Sequence, residues 1–163
     1  MQIFIRRMTP EDFDAVGYLQ AEIQALHEQS RPDLFRTGAV SYDREAFRKI
    51  AESPDGRCAV CESKGKIIGF LIAWVRRIRS HRNLNNADVL LVDDICVAGA
   101  EHRRGVGRAL WDHAEAAAKE AGCARIELNV YAFNENAIRF YGAMGLKPQI
   151  LRMEKRSEAH HEI

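Results

Sequence analysis

Two adjacent acidic residues, Asp93 and Asp94, interrupt an otherwise apolar run between positions 89 and 97. The run predicts a buried strand, because branched and apolar residues dominate it. A carboxylate inside such a strand costs free energy unless it is paired, solvated or used in chemistry. Pairing with a basic neighbour such as Arg125 is the structural alternative. The acidic pair is therefore a candidate for a catalytic role.

A glycine-rich, basic segment follows this strand. Gly105 and Gly107 fall in the first turn of a predicted helix, beside Arg103, Arg104 and Arg108. The unpaired N–H groups of a helix N-terminus, together with the helix macrodipole, attract phosphate, and glycine lets a ligand approach the main chain closely. The segment therefore predicts a site for a phosphate-bearing ligand.

The length and charge of the chain limit the classes of protein to which it can belong. Its 163 residues suffice for one domain with a hydrophobic core, and 24 Lys+Arg against 23 Asp+Glu give a net charge of +1. A balanced charge argues against the global positive field of non-specific nucleic-acid binders. No apolar run approaches the roughly 20 residues that cross a bilayer. We expect a soluble, cytoplasmic protein with no membrane or nucleic-acid partner.

The four cysteines do not form a recognisable metal site. Cys58 and Cys61 have CxxC spacing, but residues three apart on a strand point to opposite faces, and no second pair completes a zinc site. Reduced cysteines in the core are the favoured interpretation, with a metal or redox role as the alternative. We expect no metal.

Hydrophobic periodicity predicts an α/β chain in which helices and strands follow a definite order. The order is strand, two helices, three antiparallel strands, a glycine-started helix, strand, helix, strand. Two loops, 31–42 and 76–86, separate these elements and carry no motif. Residues 147–155 are predicted to form the last strand, and 157–163 a disordered C-terminal tail. Strands are predicted at 3–7, 58–62, 67–75, 89–97, 125–130 and 147–155, and helices begin near residues 9, 42, 106 and 134.

Three motifs at matching separations resemble the GNAT superfamily of N-acetyltransferases. They are VDDICV at 92–97, HRRGVG at 102–107 and NENAIRFY at 134–141, the last followed by Gly145. The resemblance covers nearly the whole chain, and its pattern is nearest to small-molecule amine and diamine acetyltransferases. It implies a single GNAT domain over residues 1–156, with a mostly antiparallel mixed sheet of about six to seven strands flanked by about four helices. It also implies a homodimer.

The resemblance further implies that acetyl-CoA is the co-substrate. One position departs from the family pattern, because His102 stands where Gln or Arg usually begins the phosphate loop. We expect coenzyme A binding to survive this change, with Arg103 and Arg104 compensating. The implied cofactor-binding residues are Ile95, Cys96, Val97, His102, Arg103, Arg104, Gly105, Val106, Gly107, Arg108, Asn134, Ala137 and Tyr141.

Acetyl transfer to an amine requires a deprotonated amine, a stabilised oxyanion and a protonated leaving thiolate. Asp93 is the candidate base, directly or through water, and Asp94 is the second catalytic candidate. Strand alternation places the two side chains on opposite faces unless a bulge intervenes. The resemblance makes Tyr141 the acid that protonates the thiolate, although a core aromatic is the simpler interpretation of its spacing. Main-chain N–H groups of Cys96 and Val97 would polarise the thioester.

The expected function is transfer of an acetyl group from acetyl-CoA to a primary amine, by direct attack in a ternary complex. A small-molecule acceptor is favoured over a protein N-terminus or lysine. An acyl-CoA-binding module without catalysis is the alternative from another class. Nucleic-acid binding through the arginines of 76–82 is the least favoured hypothesis.

Overall fold

The computed structural model describes residues 2–156 and contains five strands and four α-helices within that range. Two short 3-10 turns precede the first and third helices. The elements are β1 (Phe4–Arg7), α1 (Phe13–Ser30), α2 (Arg44–Glu52), β2 (Ala59–Ser63), β3 (Lys66–Ile78), β4 (Ala87–Val97), α3 (Val106–Glu120), β5 (Arg125–Leu128) and α4 (Glu135–Ala143).

The strands form one sheet in the order β1-β2-β3-β4-β5. Neighbours are antiparallel except β5, which runs parallel to β4. A chain reversal across α3 makes this parallel pairing possible, since parallel neighbours need a crossover connection. The predicted α/β class with a mostly antiparallel mixed sheet is confirmed.

The predicted strand over 147–155 is wrong, so the described sheet has five strands rather than six or seven. Residues 147–156 have no regular secondary structure. Pro148 lacks the N–H group that a ladder requires, and the apolar residues Ile150 and Leu151 are adjacent rather than alternating. Apolar content alone was therefore a poor guide to a strand here.

The two faces of the sheet carry different helices. Phe70 and Ile72 of β3 pack into a buried cluster with Val16 and Leu19 of α1 and Phe47 of α2. Alternate residues of β3 point the other way, toward α3. This second face is lined on the helix side by small and branched residues, which let α3 lie close to the sheet: Val106, Leu110, Ala114 and Ala117.

The chain forms two compact units, which are divided after Asn129. The first contains the whole sheet and α1 to α3, and the second contains α4. The assignment of residues 1–156 to one domain stays a prediction, and the predicted tail at 157–163 lies outside the described residues. Within the described range, no helix is both long enough and apolar enough to cross a membrane.

Candidate active site

A β-bulge lies at the acidic pair. Ile72 of β3 pairs with Asp94, but the next residue, Ala73, pairs with Val92, so Asp93 is an extra residue without a partner on β3. A bulge of this kind breaks the strict alternation of side chains along a strand. The contacts of the two carboxyl groups show the consequence.

Both carboxyl groups lie on the face of the sheet covered by α1 and α2. Asp94 accepts a hydrogen bond from the Tyr42 hydroxyl at 3.4 Å, and Asp93 accepts one from the indole Nε1 of Trp74 at 2.5 Å. Trp74 follows Ile72 by two residues on β3 and so shares its face. Strict alternation would place the two aspartates on opposite faces of the sheet. It fails here because Asp93 is an extra residue in β4 at the bulge.

The two aspartates differ in environment. Asp94 is half-buried, and burial followed by the charge of Asp93 raises its pKa above the ordinary value. Asp93 is exposed. The structural alternative, a pair with Arg125, is not formed, because Arg125 donates to Glu127 at 2.6 Å. A half-buried carboxyl group beside an exposed one is an arrangement suited to accepting a proton.

Tyr42 and Cys96 experience the same negative environment. Burial, and then the charges of Asp94 and Asp93, raises the pKa of Tyr42 well above its ordinary value. Burial, followed by Glu22 and Asp94, raises the pKa of the Cys96 thiol to about 12. The thiol donates to the carbonyl oxygen of Leu19 at 3.5 Å. Cys96 is therefore held as a neutral core thiol and is poorly suited to act as a nucleophile.

On the side of β5, the second half of β4 has no strand partner among the residues that the structure describes. β5 pairs with β4 only as far as Val92, whereas β3 pairs with β4 as far as Val97. The Ala98 N–H donates to the carbonyl oxygen of Ile68 in β3. Main-chain groups alternate between the two edges of a strand, so the N–H of Val97 points to the opposite edge, away from β3. By the same alternation the N–H of Cys96 points toward β3. Val97 thus presents the main-chain donor to a ligand at this edge.

The glycine-rich segment forms the predicted helix start. Gly105, at φ +87°, is the N-cap of α3, and Arg103 before it also adopts a left-handed conformation at φ +59°. The Ala109 N–H donates to the Gly105 carbonyl oxygen at 3.0 Å. The amides of residues 106–108 therefore have no acceptor within the helix, which is the arrangement that binds phosphate.

His102 joins this segment to β4. Its Nε2 bonds the Val97 carbonyl oxygen at 2.9 Å, and because a carbonyl only accepts, Nε2 carries the hydrogen. Of the nearby arginines, Arg104 pairs with Glu101 at 3.0 Å and Arg108 with Asp112 at 2.7 Å. Arg103 forms no ion pair with the residues that the structure describes. Arg103 is thus the cation most available to an anionic ligand.

A glycine sets the distance between α3 and the sheet. Gly69 of β3 lies opposite Val97, and a Cβ built on it would stand 2.8 Å from the Cys96 carbonyl oxygen and 3.1 Å from a methyl carbon of Leu110. Real side chains do not tolerate the first of these distances. Only glycine lets the first turns of α3 approach the end of β4 this closely.

The second unit holds the remaining predicted residues. The Asn134 side chain caps α4 by accepting from the Ala137 N–H at 3.1 Å. The ring of Tyr141 meets that of Phe140 edge-on, with centroids 5.3 Å apart. The roles of Asn134, Ala137 and Tyr141 toward coenzyme A stay predictions.

Sequence reasoning missed three residues of the site. They are Gln20 of α1, Tyr42 before α2 and Trp74 of β3. A polar residue in the apolar stripe of α1 was the one available signal, because such a position is costly without a partner. Tyr42 and Trp74 carried no signal, since an aromatic residue in either context is ordinary.

The fold and these motifs together define an acetyltransferase architecture, and the comparison with known proteins agrees. The chain belongs to the Acetyltransferase (GNAT) family, whose model matches residues 21–146. The resemblance inferred from the three motifs is thereby confirmed.

Individual relatives share this architecture at low identity. The uncharacterized N-acetyltransferase MJ1207 of Methanocaldococcus jannaschii is 28% identical over 160 residues, which are 93% of this chain; the chain spans 66% of that relative's length. The crystal structure of a tetramutant of the BH1408 protein from Bacillus halodurans matches with a TM-score of 0.88 at 24% identity, covering 94% of this chain and 99% of that one. AAC(6')-Iy in complex with a bisubstrate analogue matches with a TM-score of 0.73 at 17% identity, covering 96% and 100%.

Proposed function

We propose that this chain is an N-acetyltransferase that moves an acetyl group from acetyl-CoA to the primary amine of a small molecule. The observation that carries the proposal is the arrangement of β4. One strand presents two carboxyl groups at its bulge and, at its end, a main-chain edge to which β5 does not pair, and residues 98–105 connect it to a helix start of the phosphate-binding type. Amine, thioester and pyrophosphate would thus be held by consecutive segments of chain.

The proposed binding of acetyl-CoA uses the segment after β4. The pyrophosphate would accept hydrogen bonds from the amides of residues 106–108, with Arg103 supplying positive charge. The pantetheine arm would lie along the open edge of β4, where the Val97 N–H donates to it or to the thioester carbonyl. His102 would stabilise this edge by holding the Val97 carbonyl oxygen.

The proposed chemistry is direct attack of the amine on the thioester. A lysine-like amine, with a pKa of about 10.4, is mostly protonated at pH 7, a handicap of roughly 4 to 5 kcal/mol. Asp93, which is exposed, would take the proton directly or through water, while Asp94 would bind the amine from the buried side. Tyr141 would protonate the leaving coenzyme A thiolate.

A small acceptor is favoured by two facts. The acidic pair has no cation among the ion pairs of the described residues, so a cationic ligand would complete it. Several solved structures with this fold are aminoglycoside acetyltransferases, and one is bound to coenzyme A.

The direct test measures thiol release from acetyl-CoA by the purified protein with a panel of amino sugars, amino alcohols, alkylamines, polyamines and peptides. We expect release with at least one small amine. Binding of acetyl-CoA without release across the whole panel would instead support an acyl-CoA-binding module, and release with peptides alone would support a protein acetyltransferase.

A further inference from the structure

A half-buried glutamine, Gln20, stands beside the acidic pair, and its side-chain amide is not fully engaged. The Gln20 side-chain nitrogen is fully buried and forms no hydrogen bond with the described residues. Its amide nevertheless lies near enough to Asp94 to favour the charged carboxylate. A primary amide has two donor hydrogens, and Asp94 can engage only one of them. At least one buried donor is therefore left for something else.

A cavity opens next to this glutamine. It has a volume of about 80 Å³ and lies between α1 and residues 39–42. Gln20 and Tyr42, the two residues that face Asp94, also line the cavity, and the rest of its wall is mainly apolar, with Phe13 and Gly17 from α1. A space of this size exceeds that of a single water and accommodates a short carbon chain.

The charges that act on Tyr42 are negative, although one cation, Arg44, lies over the ring of Phe13 in the same wall, 4.5 Å from its centroid. The groups that act on Tyr42 are Asp94, Asp93 and the Cys58 thiol, and those that act on Asp94 include no arginine or lysine. A ligand at this point therefore gains from a positive charge, and a ligand carboxylate is disfavoured. The same ligand must also offer an acceptor atom to the unpaired amide of Gln20, because an unsatisfied buried donor costs free energy.

We infer that the acceptor is a primary amine with an oxygen atom on the neighbouring carbon, its nitrogen held by Asp94 and its oxygen by Gln20. This inference rests on the proposed function and narrows its substrate class. Because the Gln20 amide lies beside the Asp94 carboxyl group, the ligand oxygen and nitrogen that they bind must also lie close together, as they do when they are on neighbouring carbons. Amino alcohols, amino sugars and aminoacyl amides share this group, whereas alkylamines and polyamines lack the oxygen.

The test compares ethanolamine with propylamine, which differ only in a hydroxyl against a methyl group. The quantity measured is the ratio of their kcat/KM values, in the native chain and in Gln20→Leu. A different basicity of the two amines affects both proteins equally and cancels in this comparison. We expect the ratio to fall about threefold to tenfold in Gln20→Leu, as the loss of one hydrogen bond predicts. Glycinamide in place of ethanolamine tests whether a carbonyl oxygen serves as well.

Gln29→Leu is the matched control, because it places the same side chain on an exposed position of the same helix. It should leave the ratio unchanged. Gln20→Met provides a second, nearly isosteric variant in case leucine disturbs the packing of α1, and it should lower the ratio in the same way. A ratio that is equal in all four proteins would overturn the inference while leaving the acetyltransferase activity intact.

Failure of the proposed function is a distinct outcome. If no amine releases thiol, the affinities of ethanolamine and propylamine for the native chain and for Gln20→Leu are measured by NMR titration in the presence of coenzyme A. A preference for ethanolamine that requires Gln20 would support the inference without catalysis. The absence of such a preference would reject it.

Discussion

Asp93 and Asp94 are neighbours in sequence and lie on one face of the sheet, yet they occupy different environments. Asp94 is half-buried against Tyr42, and Asp93 is exposed with its carboxylate bound to Trp74. Burial and the charge of Asp93 raise the pKa of Asp94 above its ordinary value. This difference suits the two residues to the separate roles proposed for them, Asp94 to binding the amine and Asp93 to accepting its proton.

Replacing the proposed base should alter the dependence of rate on pH. In Asp93→Asn the amine must lose its proton without help, so we expect kcat/KM near pH 7 to fall by about 10²- to 10⁴-fold and the rate profile to shift to higher pH. Thiol release measured from pH 6 to 10 checks this. A profile of unchanged position would assign Asp93 a structural role, and Asp14→Asn, an exposed change on α1, serves as the control.

Replacing the proposed acid should affect turnover rather than binding. Tyr141→Phe keeps the ring that contacts Phe140 but removes the hydroxyl. We expect kcat to fall by about tenfold or more, the usual scale for loss of a general acid, and coenzyme A affinity to stay within a few-fold. Steady-state kinetics and calorimetric titration with coenzyme A separate the two quantities. Unchanged turnover would remove Tyr141 from the mechanism.

At the scale of elements, β3 packs closely against the end of β4 and the first turns of α3, next to the proposed phosphate-binding residues 106–108. Gly69 of β3 makes this close packing possible, because any side chain there would meet the Cys96 carbonyl oxygen of β4 and the Leu110 side chain of α3. The position of the helix start relative to the end of β4 therefore depends on a residue that carries no functional group.

Enlarging this glycine should weaken both folding and cofactor binding. In Gly69→Ala, β4 or α3 must move to make room, which we expect to lower the free energy of unfolding by about 1 to 3 kcal/mol and to weaken coenzyme A binding. Thermal unfolding and calorimetric titration measure the two effects. Gly142→Ala, in a helix with open space around it, should be neutral or slightly stabilising. Equal stability of both variants would contradict the close-approach argument.

Most elements were predictable because their signals are local. The helix start near residue 9, the neighbouring strands at 58–62 and 67–75 and the glycine-started α3 each follow from chemistry within a few residues. The bulge was not predictable in position, because it depends on pairing with Ile72 and Ala73, about twenty residues away. Gln20 and Tyr42 were missed for the same reason, since each becomes part of the site only through contact with a distant strand.

At the scale of the whole molecule, a three-residue ionic cluster joins the N-terminal strand to its neighbours. Arg6 of β1 donates to Asp12 at 2.7 Å and to Glu62 of β2 at 2.6 Å, and Asp12 also accepts from the Thr9 N–H. Burial would raise the pKa of Asp12, but the hydrogen bonds from Arg6 and Thr9 outweigh it and hold the pKa below the ordinary value. Because the pKa is depressed on folding, the ionised carboxylate stabilises the native chain.

The free energy of unfolding should therefore depend on pH through the ionisation of Asp12 in this cluster. The contribution of Asp12 is fully present above the unfolded-state pKa of about 3.9 and is lost as pH falls through the lower folded-state value. We expect Asp12→Asn to lower the free energy of unfolding at pH 7 by about 1 to 3 kcal/mol, with a smaller difference at pH 3. Urea titrations at both pH values check this. Should Asp14→Asn, whose ion pair with Arg44 is exposed, cost as much, the cluster would have no special role.

The extra residue in β4 has a consequence for how this chain can vary. Deletion of a single codon at position 93 would let β3 and β4 pair without interruption, giving a more regular sheet that carries one acid instead of two. In a library of variants selected only for thermal stability, we therefore expect chains that lack residue 93 to survive. In a library selected for catalytic turnover, we expect the bulge and both aspartates to be retained.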